Sequence, residues 1–182
     1  DDYARLLAVW NARINLTAVR GDEAVALHHF ADSLAIVPHL GGATTLVDVG
    51  AGGGWPGAVA AIVRPDLEVT AVEKNQKKVA FLRALARELG LANLRVFAGP
   101  VAALDRRDFD AAVSRATLAL PAWMHLGLTL VRSGGCVLGM EGSRQEVLDA
   151  GWTRTPYRIG ELTRAIVRVV KRAAQLSTPV DD

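Results

Sequence analysis

The segment that most constrains the fold runs from Asp48 to Gly57 and reads DVGAGGGWPG. It follows an aliphatic run at 45–49 and precedes an apolar helical pattern at 56–63. Glycine adopts turns that other residues avoid, and without a Cβ its backbone can approach a ligand closely. Pro56 suits the first turn of a helix. The segment therefore predicts a strand, a tight loop that cradles a small molecule, and a helix.

From residue 45 onward, short aliphatic runs alternate with helical patterns. The runs cover 45–49, 67–72, 94–98, 110–114 and 136–140, and the helical patterns cover 56–63, 76–89, 121–130 and 144–150. This alternation is typical of βαβ units. We therefore predict an α/β fold with a Rossmann-like, doubly wound parallel sheet covered by helices on both faces.

Two further aliphatic runs, 152–159 and 165–170, close the pattern and are separated by a short turn around Gly160. Because a parallel crossover needs roughly a dozen or more residues, these runs should pair antiparallel. The sheet is thus expected to be mostly parallel and to end in a C-terminal antiparallel hairpin.

The chain before residue 45 has a different pattern, with amphipathic helical stretches at 2–14 and 22–40. We predict a helical N-terminal extension at 1–42, a Rossmann-like domain at 43–172 and a frayed tail at 173–182. Because the sequence begins at Asp1 without a methionine, we expect a short segment to precede it.

Several classes of protein are excluded by composition. The longest aliphatic run, 58–63, is far shorter than the roughly 20 residues that span a bilayer. The single cysteine, Cys136, lies in an apolar run and is predicted to be buried, and no cluster of cysteine and histidine has zinc spacing. We expect a cytoplasmic protein with no membrane segment and no metal.

Charge gives a weaker indication of the partner. The net charge of +2 is too small to argue for nucleic acid by itself. Basic side chains outnumber acidic ones between 132 and 172, however, which predicts a basic patch on the C-terminal segment.

An acidic residue, Glu73, ends the second aliphatic run. A carboxylate at this point of a Rossmann-like sheet bonds the hydroxyls of a bound ribose, so the loop and Glu73 together predict a nucleoside-containing ligand. Residues 52–57 satisfy the dinucleotide pattern G-x-G-x-x-G, and residues 48–54 satisfy D-x-G-x-G-x-G, which is typical of S-adenosylmethionine sites. Asp48 at the strand end, the single mononucleotide-binding half and the closing hairpin favour S-adenosylmethionine. In this interpretation Asp48 reaches the methionine part of the cofactor, and Gly50, Gly52 and Gly54 form the loop around it.

Several short motifs, in order along the chain, resemble one known family, the ribosomal RNA small-subunit methyltransferase G family, also called glucose-inhibited division protein B. They are Trp10-Asn11, Asn15-Leu16-Thr17-Ala18, His29-Phe30-Ala31-Asp32-Ser33, Pro56-Gly57 within the glycine loop, the segment 78–83, and Ser114-Arg115-Ala116. The resemblance implies a class I S-adenosylmethionine-dependent methyltransferase fold with a helical N-terminal extension. It also implies methylation at N7 of a guanine in 16S ribosomal RNA, free or in the small subunit. We expect the protein to be a monomer.

The resemblance also assigns roles to residues. Cofactor contacts are implied for Gly50, Trp55, Glu73, Val101, Ala102 and Arg115, and the mouth of the pocket for Asn15, Thr17, His29 and Asp32. Guanine N7 carries a lone pair and no proton, so its methylation needs no general base, and positioning should determine the rate. Arg115 is expected to bond guanine O6 or a phosphate while the methyl group approaches N7.

Some of these residues have more than one interpretation. Asp32 could orient His29, three residues before it, whereas Asn15 and Thr17 could simply cap a turn. Trp55 could cover the cofactor or stack on the target base, and Trp10 is expected in the core.

Two positions depart from the family pattern, with Glu141 where relatives usually have lysine and Pro100 where some have arginine. Loss of a cation and gain of an anion near RNA should weaken phosphate binding, and Arg144 or Arg164 could compensate. Two other functions therefore stay open: a methyltransferase of the same fold acting on a small molecule or protein, and a catalytically silent RNA-binding or cofactor-sensing module.

Overall fold

A computed structural model describes residues 2–115, 117–143 and 145–173. In this part of the chain seven strands form one sheet in the order β3-β2-β1-β4-β5-β7-β6. The strands are β1 (Thr45–Val49), β2 (Glu68–Glu73), β3 (Leu94–Ala98), β4 (Phe109–Arg115), β5 (Val131–Glu141), β6 (Thr153–Ile159) and β7 (Leu162–Val170). Strands β1 to β5 pair parallel, and β7 pairs antiparallel with both β5 and β6. The predicted parallel sheet with a closing hairpin is confirmed.

The sheet is buried on both faces because its central strands are apolar at consecutive positions. Leu46 packs into a core with the N-terminal helices, α5 (Gly57–Val63) and α6 (Gln76–Glu88), whereas its neighbour Val47 packs into a second core with α7 (Leu120–Leu128). Successive side chains of a strand point to opposite faces, so continuous aliphatic runs require helices on both sides. Cys136 is buried in the first of these cores, as predicted.

The main helices begin and end close to the predicted positions. They are α1 (Asp2–Ile14), α5 (Gly57–Val63), α6 (Gln76–Glu88) and α7 (Leu120–Leu128). The Asn75 side chain caps α6 by accepting hydrogen bonds from the backbone N–H groups of Lys77 (3.0 Å) and Lys78 (3.3 Å). Gly90, with φ of +63°, lies just beyond its last turn.

The predicted continuous helix over 22–40 is wrong. The structure contains α2 (Asp22–Val25), a π-helical turn (Ala26–Ala31), α3 (Asp32–Leu34) and, after a break, α4 (Val37–Leu40). Pro38 lies in the first turn of α4, where its missing N–H is not needed. A π-helical turn inserts one extra residue, which apolar periodicity does not reveal, and such turns often occur at functional sites.

The predicted helix over 144–150 is also wrong for its described residues, 145–150, which form no helix. The Glu141 carboxylate accepts the Glu146 N–H at 2.8 Å, and Arg154 donates to the Glu146 carbonyl at 2.5 Å. Side chains therefore satisfy backbone groups that a helix would have paired internally.

The N-terminal helices share a core with the sheet. Tyr3 and Leu7 of α1 are buried against Trp55 and Phe81, and the Tyr3 hydroxyl donates to the Gly53 carbonyl at 2.5 Å. Trp10 packs edge-on against Phe81, as expected for a core residue. Of the predicted tail, 174–182 lies outside the described residues.

Candidate functional site

A cleft of about 590 Å³ opens at the carboxyl ends of the central parallel strands. Its walls are the glycine loop after β1, the ends of β2 and β4, the loop that follows α1 and the π-helical turn. Open α/β sheets bind ligands at this edge, and the volume is in the range of small-molecule sites.

The glycine loop is held over the end of β2 by its backbone. The N–H groups of Gly50 and Ala51 donate to the Val72 carbonyl at 2.9 and 3.1 Å. Gly50 has φ of +76°, and a Cβ at this position would lie 2.3 Å from Oγ1 of Thr117. The loop therefore requires glycine at residue 50 for conformation and for space.

The Glu73 carboxylate lies in the cleft wall with both oxygens bonded to the backbone. Oε2 accepts the Gly52 N–H at 2.9 Å, and Oε1 accepts the Asn75 N–H at 2.8 Å. Each carboxylate oxygen can accept a second hydrogen bond. The oriented carboxylate can thus receive two hydroxyl groups of one ligand.

Asp48 does not lie where the sequence analysis placed it. Its side chain is fully buried behind the loop, and Oδ2 accepts the Gly57 N–H at the start of α5 at 2.8 Å. Oδ1 has no hydrogen-bond partner among the described residues, and burial raises the pKa of this carboxyl to about 7. Asp48 therefore supports the loop from beneath instead of lining the cleft.

Two other predicted cofactor contacts also fall outside the cleft lining. A Cβ on Gly54 would lie 2.3 Å from the Tyr3 hydroxyl, so this glycine faces α1. Ala102 is exposed beside the cleft, whereas its neighbour Val101 lines it.

Asp32 is a fully buried carboxylate that joins three elements. Oδ2 accepts from Nη1 of Arg115 at 3.0 Å and from Nη1 of Arg164 at 3.2 Å, and Oδ1 accepts from the Tyr157 hydroxyl at 2.8 Å. The structure shows no direct hydrogen bond between Asp32 and His29, because the two ring nitrogens of His29 lie against Thr17 and Arg115. Asp32 holds both Arg115 and Arg164 in internal ion pairs.

His29 lies between the cleft and the glycine loop. Its ring stacks on Trp55 with centroids 3.9 Å apart, Nε2 lies 2.7 Å from Oγ1 of Thr17, and Nδ1 lies 3.3 Å from Nη2 of Arg115. Burial and the Arg115 guanidinium lower the pKa of His29 to about 4, so the ring is neutral at pH 7. Trp55 is only 5% exposed. Because His29 covers its ring, the structure does not support stacking of Trp55 on a target base.

The loop that carries Thr17 is held by a residue that the sequence analysis assigned no role of its own. The Asn11 side chain donates to the Thr17 carbonyl at 3.0 Å and accepts the Thr17 N–H at 2.9 Å. Asn15 has φ of +55° and ends α1 with an exposed side chain, outside the cleft lining. This geometry favours the turn interpretation for Asn15, whereas Thr17 lines the cleft.

Glu141 does not present a free negative charge. Its carboxylate is buried and accepts from Nε and Nη2 of Arg154 at 2.6 and 2.9 Å. The negative charge of Glu141 is therefore neutralised by a partner on β6. Pro100 lines the cleft, and Arg144 lies outside the described residues.

Lysines add positive charge to the cleft wall. Lys74 and Lys78 both line it. Of the predicted cofactor and mouth residues, the structure brings eight to the cleft: Thr17, His29, Gly50, Gly52, Trp55, Glu73, Val101 and Arg115. Within the described ranges there is no group of three or more histidine, cysteine or acidic residues placed to hold a metal ion. None of the described helices is both long and apolar enough to cross a membrane.

Comparisons with known proteins agree with this architecture. A model of the family described as rRNA small subunit methyltransferase G matches residues 1–151. A relative from Neisseria gonorrhoeae, named ribosomal RNA small subunit methyltransferase G, is 44% identical over 140 residues, which are 77% of this chain and 68% of the relative. A relative of the same name from Azoarcus is 41% identical over 156 residues, covering 83% of this chain and 74% of the relative.

Solved structures show the same fold at low sequence identity. The cofactor-bound protein Rv0187 from MTB superposes with a TM-score of 0.68 at 16% identity, covering 95% of this chain and 91% of that one. A mutant of MtNAS in complex with S-adenosylmethionine gives a TM-score of 0.62 at 16% identity, covering 94% and 76% of the two chains.

Proposed function

The chain belongs to the ribosomal RNA small subunit methyltransferase G family, and we propose that it transfers a methyl group to N7 of a guanine in 16S ribosomal RNA. It is an S-adenosylmethionine-dependent methyltransferase with the class I fold. The observation that carries the proposal is the placement of the Glu73 carboxylate and the Arg115 guanidinium at the ends of β2 and β4, on either side of the glycine loop.

The residues of the cleft fit the cofactor. The oriented Glu73 carboxylate has one acceptor position left on each oxygen, which matches the two hydroxyls of a ribose. A Cβ on Gly50 would collide with Thr117, so the close-fitting loop is specific to glycine there. We assign Glu73 to the ribose, Val101 to the adenine and the backbone of 50–52 to the methionine part. When bound, S-adenosylmethionine supplies an electrophilic methyl group on a sulfonium.

The chain's own residues act by position and charge. Guanine N7 has no proton to lose, so transfer to it calls for alignment and not for a general base. Arg115 is held by Asp32 and by the His28 carbonyl at 3.0 Å, which leaves Nε–H and one Nη2–H to donate to guanine or phosphate. His29 is neutral and stacked, and therefore serves as a positioning residue.

The RNA substrate agrees with the charges around the cleft. Lys74 and Lys78 in the cleft wall can neutralise phosphates, and the internal pairing of Glu141 with Arg154 removes the negative charge that argued against RNA. We place the enzyme with ribosomal RNA in the cytoplasm.

Methylation with a labelled donor tests the proposal. The purified chain is incubated with S-adenosylmethionine and either deproteinised small-subunit RNA or intact small subunits, and 7-methylguanine is mapped by chemical cleavage at the modified base. We expect one labelled guanine in at least one of the two substrates. A folded chain that binds the donor and labels neither substrate would refute the RNA assignment.

A further inference from the structure

A series of hydrogen bonds runs from Asp32 through Arg115 and His29 to Thr17, and Arg115 determines which group donates in each bond. A guanidinium only donates hydrogen bonds. Nη1 of Arg115 donates to Asp32, and Nη2 donates to Nδ1 of His29 at 3.3 Å. Nδ1 of His29 therefore carries no proton.

The remaining ring proton of His29 lies on Nε2. The ring is neutral because burial and Arg115 lower the pKa of His29 to about 4. Nε2–H therefore donates to Oγ1 of Thr17, 2.7 Å away. The backbone N–H of Val19 donates to the same oxygen at 3.0 Å.

These two bonds use both lone pairs of the Thr17 hydroxyl. The hydroxyl can then act only as a donor. Among residues 2–115, 117–143 and 145–173, no side-chain or backbone atom accepts its hydrogen. Because Thr17 lines the cleft, this hydrogen is available to a bound ligand.

Thr17 lies on the Arg115 side of the cleft. It is joined through His29 to Arg115, which ends β4, whereas Glu73 ends β2, and β1 lies between these strands. With the ribose at Glu73, the opposite end is left for the methyl acceptor. We infer that the Thr17 hydroxyl donates to O6 of the target guanine and selects guanine over adenine; the inference rests on the proposed function.

The chemistry of the two purines explains the selection. Guanine presents two acceptors on this edge, N7 and O6, whereas adenine presents N7 and an amino group that donates. A free threonine hydroxyl could serve either base, since it can donate or accept. At Thr17 the accepting capacity is already used, so an adenine amino group meets another donor.

A cycle of protein and RNA changes tests this contact. The RNA carries either guanine or 2-aminopurine, which keeps N7 but lacks O6, at the methylated position. The ratio of kcat/KM for the two bases is measured for the wild type, Thr17→Val and Thr17→Ser. Because the ratio is taken within each protein, any loss of folded protein cancels.

We expect the preference in kcat/KM for guanine over 2-aminopurine to be about tenfold larger in the wild type than in Thr17→Val, which corresponds to one hydrogen bond. Any difference in the intrinsic reactivity of N7 between the two bases is the same for both proteins and cancels in this comparison. Thr17→Ser, which keeps the hydroxyl, should discriminate like the wild type. The Kd for S-adenosylmethionine, measured by calorimetry, should stay within about threefold in both variants.

Three outcomes overturn the inference. A preference for guanine that is equal in Thr17→Val and in the wild type means that another group reads O6. A tenfold rise in the Kd for S-adenosylmethionine in Thr17→Val, with the base preference intact, means that the hydroxyl serves the cofactor. Failure of the wild type to methylate guanine refutes the proposed function itself, and this inference with it.

Discussion

Replacement of Glu73 by alanine tests the assignment of the ribose site. The structure gives each Glu73 oxygen one backbone N–H, from Gly52 and Asn75, and leaves one acceptor position on each for a ribose hydroxyl. A hydrogen bond to a charged group contributes about 1.5–3 kcal/mol. Loss of two such bonds, partly offset by water that enters the space, should weaken donor binding by about 3 kcal/mol, on the order of 100-fold.

Isothermal titration calorimetry with S-adenosylmethionine measures this loss directly. Glu68 is a matched control because it lies at the other end of β2 and its carboxylate pairs with Arg95 and Arg106 at 3.2 and 3.1 Å. Glu68→Ala should change the affinity by less than about twofold, since partly exposed ion pairs contribute little. Glu73→Gln keeps one carbonyl acceptor and loses the charge, so its affinity should lie between those of the wild type and Glu73→Ala.

One result would refute the reasoning outright. If Glu73→Ala unfolds at the wild-type temperature and binds the donor within about threefold of the wild type, Glu73 does not hold the ribose. A drop in unfolding temperature without any loss of affinity would mean that Glu73 acts only on the backbone of the loop.

Three further predictions concern the buried charges. Asp32→Ala should lower the free energy of unfolding by about 3–5 kcal/mol, because it leaves two arginines without their shared carboxylate; urea unfolding measures this, and a loss below about 1 kcal/mol contradicts the central role of Asp32. The pKa of Asp48 is raised to about 7 by burial, so the folded protein holds this proton to higher pH than the unfolded chain, and its contribution to stability falls as the pH rises from about 4 to 7. Between pH 5 and pH 7.5 without cofactor, the free energy of unfolding of Asp48→Asn should therefore rise by about 2–3 kcal/mol relative to that of the wild type. An equal pH dependence of the free energy of unfolding in both proteins would be inconsistent with this. Glu141→Lys should lower the free energy of unfolding by about 2–4 kcal/mol, because it places a cation against Arg154, and it should not strengthen RNA binding. Adding Arg154→Glu should restore the midpoint of thermal unfolding. Tighter RNA binding by Glu141→Lys would show that this position faces RNA.

Much of the fold could be predicted from the sequence because its signals are local. Consecutive apolar positions such as Leu46 and Val47 require burial on both faces, and the short turn at Gly160 allows only an antiparallel pair. The cradle at Gly50 and the carboxylate at Glu73 follow from their positions at strand ends, where parallel sheets bind ligands.

The errors have local causes that periodicity does not register. The π-helical turn at 26–31 keeps the apolar face of a helix while changing its hydrogen bonding. At 145–150 the backbone N–H and carbonyl of Glu146 bond to the side chains of Glu141 and Arg154, and the helix-like pattern forms no helix.

The sequence by itself determined the order of the main strands and helices along the chain, the glycine loop and the acid that faces it, because backbone preference and apolar periodicity act over a few residues. Only the tertiary structure decided which partner each buried charge takes. Asp32 meets Arg115, Tyr157 and Arg164 across 83, 125 and 132 positions of the chain. A buried carboxylate must be paired to avoid the cost of desolvation, and several basic and hydroxyl groups in this chain could have met that need. The packing of the N-terminal helices against β4 and the hairpin determined which of these groups Asp32 bonds. It thereby set the positions of the polar groups in the cleft.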